Sequence, residues 1–193
     1  MNALDRLLAG LLWLLGALAI AGIIHIAAIF ALPGYAAKKA YARLDELAKP
    51  GELTLLPPPG PETQFMPFAD PAMVQAVCLY DLAQGPLRLH AGVEANRLLT
   101  ISFRTPDGKV FYSLTDLAAQ QNKIDVVVLT PAQLEVVEAD DDEDNPTQDL
   151  RLLAPEQQGF IFLNALAAYP GERADAEARI KSASCSSEPL AQD

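Results

Sequence analysis

Apolar residues are distributed along this chain in two regimes. Leu7 to Ala31 is a run of 25 residues without a formal charge, which at about 1.5 Å of rise per residue reaches roughly 37 Å and exceeds the roughly 30 Å hydrocarbon thickness of a bilayer. The run predicts a tilted spanning helix. A cleaved signal peptide has an apolar stretch of only about 7 to 15 residues followed by a small-x-small site, and Ile29-Phe30-Ala31 offers no such site. Residues 1–32 therefore read as an uncleaved transmembrane anchor, with the lipid bilayer as a partner through residues 7–31. Pro33-Gly34 predicts a break, after which Tyr35 to Leu47 resumes a helical pattern with Tyr41, Leu44 and Leu47 on one side. Lys49-Pro50-Gly51 ends that helix. Leu56-Pro57-Pro58-Pro59-Gly60-Pro61 reads as a stiff spacer, so residues 33–64 are assigned to a juxtamembrane helix and Pro-rich stalk.

From Phe65 onward the period becomes two. Val74, Ala76, Cys78 and Tyr80 share one parity, and Leu87, Leu89, Ala91 and Val93 share another, which predicts two strands joined through Gln84-Gly85-Pro86. A hairpin is predicted for Leu98 to Arg104 and Lys109 to Leu114 about Thr105-Pro106-Asp107-Gly108, because proline presets the first turn angle and glycine accepts positive φ. Asp116 to Gln121 reads as a helical turn and Ile124 to Leu129 as a strand covered on both faces. Thr130-Pro131-Ala132-Gln133 has the form of a capping box, so Pro131 to Val137 is assigned to a helix, although Leu134-Glu135-Val136-Val137 also suits a strand. Leu150 to Leu153 and Gly159 to Leu166 read as strands, and Glu172 to Ala183 as an alanine-rich helix. The predicted class is α+β: an N-terminal transmembrane helix, then a mainly antiparallel, sandwich-like β domain with peripheral helices over residues 65–185. Residues 186–193 read as a disordered tail.

Charge narrows the functional classes. Residues 1–43 sum to +3, and since the chain totals −11 the remainder carries −14. A domain that acidic repels phosphate backbones, so nucleic acid is excluded as a partner. Orientation stays open on sequence grounds. Lys38, Lys39 and Arg43 follow the apolar run while Arg6 and the terminal amine precede it, which favours a cytoplasmic domain. A basic residue directly before an apolar run at the very start resembles an export signal that was never cut, and favours a periplasmic one.

Two cysteines, Cys78 and Cys185, would tie the final helix to the first strand if the domain lies in an oxidising compartment. Otherwise Cys78 is a buried free thiol and Cys185 an incidental one. Closing so long a loop is worth about 4 to 5 kcal/mol before strain.

Other chemistry is thin. In Ala139-Asp140-Asp141-Asp142-Glu143-Asp144-Asn145-Pro146, residues Asp140, Asp142 and Asp144 match positions 1, 3 and 5 of an EF-hand, but position 12 is Arg151, where the closing carboxylate belongs. The stretch reads as a solvated, self-repelling charge run, with those three carboxylates the weak metal candidates. The chain has only His25 and His90, which excludes a His-rich metal centre. His90 with Cys78 would make a base and nucleophile, but without a flanking motif His90 reads as a half-exposed strand histidine. His25 lies on one helix face with Ala17, Ala21 and Ala28, where it would hydrogen-bond across a small-residue helix interface or rest neutral near the headgroups. No phosphate loop, zinc-type cysteine pair or nucleophile elbow is present. No cofactor is predicted.

Ala76-Val77-Cys78-Leu79-Tyr80-Asp81-Leu82, Gly85-Pro86-Leu87-Arg88, Phe111-Tyr112-Ser113-Leu114-Thr115-Asp116, Leu129-Thr130-Pro131-Ala132-Gln133 and Gly159-Phe160-Ile161 resemble the bacterial domain-of-unknown-function family 1254. The likeness takes in the histidine-containing anchor and the late cysteine. It implies a short envelope protein with one N-terminal span in a bacterial inner membrane, often accompanied by a partner of another unknown-function family. Leu79 stands where a basic residue belongs, so no binding role carries over to it, and the family supplies no catalytic residues. The reading is a periplasm-facing, non-enzymatic binding or assembly module. Its rivals are an envelope hydrolase built on carboxylates such as Asp81 and Asp116, and the same domain facing the cytoplasm.

Overall fold

The structure is a computed structural model that describes residues 2–60, 69–94, 97–139 and 149–188. The chain divides into two compact units, residues 1–39 and 40–193. Helix α1 (Ala3–Asp45) carries the apolar run and is long and apolar enough to cross a bilayer. It does not break at Pro33, as the sequence led us to expect, but runs through it. A proline costs one backbone hydrogen bond and a clash with the turn before it. Here Ala31 and Leu32 before it and Ala36 and Ala37 after it are strong helix formers, and prolines are tolerated in apolar helices of this kind.

The second unit is a two-sheet sandwich. One sheet has the order β1-β2-β8-β4-β5, built from β1 (Leu53–Leu55), β2 (Met73–Asp81), β8 (Gln158–Leu166), β4 (Leu99–Arg104) and β5 (Val110–Thr115). The other has the order β7-β6-β3-β9, from β7 (Leu150–Leu153), β6 (Lys123–Leu129), β3 (Leu87–Gly92) and β9 (Ser184–Ser187). All pairings are antiparallel except β6 with β7, which run parallel through the crossover helix α2 (Pro131–Ala139). The capping box is formed: Thr130 N–H donates to Gln133 Oε1 at 2.9 Å and Gln133 N–H to Thr130 Oγ1 at 3.3 Å. That settles helix over strand for Leu134 to Val137.

The alternating residues find their partners across the sandwich. Val74, Ala76, Cys78 and Tyr80 of β2 share one core with Leu87, Leu89 and Ala91 of β3, Ile101 and Phe103 of β4, Val126 and Val128 of β6, and Ile161 and Leu163 of β8. Thus β2 and β3 are not hairpin partners. Each presents its apolar side to the other, and the turn through Gly85, at φ 131°, carries the chain from one sheet to the other.

A second cluster explains why β2 and β8 are apolar on both parities. Val77, Leu79, Phe160 and Phe162 face away from the sandwich interior and are covered by Tyr41, Leu44, Ala48 and Leu56, with the Tyr41 and Phe160 rings 6.0 Å apart. The covering residues are therefore Tyr41 and Leu44 on α1 and Ala48 just beyond its end, while Leu47 is exposed. Strand β1 pairs with β2 inside the segment the sequence assigned to a stalk, and β9 continues to Ser187. The folded unit accordingly takes in residues from Ala40 onward rather than from Phe65, which lies outside the described residues.

One glycine is dictated by close approach. A Cβ at Gly159 would lie 2.3 Å from the Tyr80 hydroxyl oxygen and 2.4 Å from the Arg104 carbonyl oxygen. Tyr80 can lie across its register partner only because nothing projects there.

Candidate functional site

The structure separates most of the residues the sequence grouped. Cys78 and Cys185 are joined, with their Cα atoms 6.5 Å apart across 107 positions of chain. The bond does not reach the last helix. Cys185 sits in β9, after α3 (Arg173–Lys181), so the bond ties one sheet to the other. Cys78 is thereby unable to act as a nucleophile, and His90 lies on the far sheet, where its Nδ1 pairs with the carboxylate of its cross-strand neighbour Asp125. Asp81 caps the 3-10 turn Leu82–Gln84, accepting from Ala83 N–H at 3.0 Å, and accepts from Gln158 at 3.0 Å.

Strand register places Asp81 and Asp116 at opposite ends of the larger sheet. Asp81 pairs with Gln158 at the start of β8, whereas Asp116 follows Thr115, whose row runs through Thr100 and Asn164 to Gln75. The six residue steps of β2 from Gln75 to Asp81 span about 20 Å, so the two carboxylates do not form a hydrolase pair. Asp140, Asp142 and Asp144 lie outside the described residues, and among the described residues no group of three or more His, Cys, Asp or Glu is gathered for a metal. Ala17, Ala21 and His25 are exposed on α1 at intervals of one turn.

Charges on the outer face of the smaller sheet are largely spent on each other. Arg88 donates to Glu188 at 3.2 Å and to Asp149 at 3.3 Å, and Arg151 lies 3.8 Å from Asp149. Val127, the cross-strand neighbour of both arginines, is buried between them, as expected where long charged side chains lay their stems over an apolar residue. On the larger sheet, burial pushes the Tyr80 phenol far above its ordinary value, with smaller contributions from Tyr41 and Glu156. It stays neutral and is no base.

A cavity lies at the edge where β5 and β7 end the two sheets. It holds about 210 Å³ and is bounded by Leu114, Ile124, Val126 and Leu150, one or two from each of β5, β6 and β7, of which only Leu150 is exposed, so the surface the cavity presents is more polar than apolar. Gln121, Lys123 and Asp125 form a polar rim. The rim is set by a two-residue turn in which Gln120 and Lys123 exchange hydrogen bonds at 2.9 Å while Gln121 and Asn122 take φ of 52° and 62°. Both central residues are left-handed, as a tight primed hairpin turn requires, and asparagine tolerates this far better than glutamine. Beside the cavity the outer edge of β5 has no pairing strand among the described residues. Leu117 in the 3-10 turn Asp116–Ala118 is 90% exposed and Tyr112 is 39% exposed. Sequence reasoning missed this site because its floor is assembled from three strands. The uncharged stretch Val110-Phe111-Tyr112-Ser113-Leu114-Thr115 was its only local signal.

No family model matches the chain, and no curated protein does. Solved structures do resemble it. The VPA0106 protein from Vibrio parahaemolyticus aligns at a TM-score of 0.57 and 9% identity over 83% of this chain and 39% of its own. An uncharacterised protein from Burkholderia cenocepacia aligns at 0.44 and 10% identity over 81% and 42%. The chain thus spans about two-fifths of the length of the structures it matches, and the first likeness establishes a shared fold alone.

Proposed function

We propose that this protein is a membrane-tethered envelope protein of the family-1254 type, whose sandwich serves as a non-enzymatic binding or assembly module on the periplasmic side of a bacterial inner membrane. The Cys78–Cys185 bond carries the reading, because such bonds persist in oxidising compartments and not in a bacterial cytosol. An N-terminal helix apolar enough to cross a bilayer supplies the tether through residues 7–31. The candidate catalytic groups are otherwise engaged: Cys78 in the bond, Asp81 in a cap, and Asp116 at the other end of the sheet. The acidic surface disfavours nucleic acid. The partner is an envelope protein, as the family resemblance implies.

Fusions at the C-terminus test the compartment. Alkaline phosphatase should be active there and a fluorescent protein dark. A bright, phosphatase-negative pair would place the domain in the cytoplasm, the orientation favoured by Lys38, Lys39 and Arg43, and would end this reading.

A further inference from the structure

We draw no further inference here: the strongest candidate, the side-chain row Ser184, His90 and Asp125 across β9, β3 and β6 on the outer face of the smaller sheet, joins histidine to carboxylate but, among the described residues, not serine to histidine, and nothing in the structure shows what covers that half-exposed face.

Discussion

The two long edges of the sandwich solve the same problem in opposite ways. At one, helix α3 packs on β1, β2 and β8 with Ala176 and Ile180 fully within the core, and the Cys78–Cys185 bond joins β2 to β9 across the sheets. Arg179 donates to the Leu166 carbonyl at 3.0 Å and Arg173 to the Pro71 carbonyl at 3.2 Å, so the helix is pinned to the end of β8 and to the loop before β2 as well as packed. At the other edge, β5 and β7 end their sheets over a cavity, with Leu117 almost fully exposed and Leu150 at 38%. Both edges present strand backbone that invites pairing. One is closed by a helix, a covalent bond and core side chains, whereas the other combines a cavity of mainly polar surface with a strand edge unpaired among the described residues. Covalent and helical closure are gathered at one edge, and among the described residues the other has neither.

The largest expected effect breaks the closed edge. Replacing Cys78 and Cys185 together by alanine removes a link across 107 positions and should lower unfolding free energy by about 4 kcal/mol, within the usual range of roughly 2 to 5 for such bonds. Urea titration measures it. A loss below about 1 kcal/mol would show that the helix and core hold this edge without the bond.

Next in size is a matched pair of truncations. Ile180→Ala removes a side chain that is 1% exposed beneath α3 and should cost about 2 to 4 kcal/mol, whereas Leu117→Ala at the open edge should stay within about 0.5 kcal/mol. Comparable losses at both positions would mean that the open edge is structural.

Most individual elements were legible because their causes are local. The Thr105-Pro106-Asp107-Gly108 hairpin follows from turn chemistry, with Gly108 at φ 83°, and the capping box of α2 from four consecutive residues. What could not be read is which strands are neighbours. Alternation in β2 and β3 announces two buried faces but is the same whether the strands pair side by side or face each other across a core. β1 was hidden by its length, three residues next to a proline run. The outer covering of the larger sheet, by contrast, was written in the sequence: Val77, Leu79, Phe160 and Phe162 break strict alternation because Tyr41, Leu44 and Ala48 lie over them. The open edge was least legible, since its cavity is assembled from three strands between Leu114 and Leu150 and each apolar residue there looks like ordinary core.

The smallest effect is a pH response confined to the open edge. In the turn that begins β5, the Thr105 hydroxyl donates to the Asp107 carboxylate, and Thr105 N–H and Gly108 N–H close the loop on Lys109 and Thr105 carbonyls at 3.0 and 2.8 Å. That hydroxyl contact, aided by the Lys109 backbone and charge, holds the Asp107 carboxyl below its ordinary range. Its folded value lies under its unfolded one, so ionised Asp107 favours the folded turn at any pH above the ordinary carboxylate value of about 3.9, and the contribution is lost as pH falls through the lower, folded value. Amide protection factors should therefore fall in the β4–β5 turn as the pH drops below about 4, while α3 and β9, which contain no partner of Asp107, keep theirs. Asp107→Asn, which cannot ionise, should abolish the local step. A simultaneous loss of protection at both edges would mean that they open as one cooperative unit, and that the contrast between them is geometric rather than energetic.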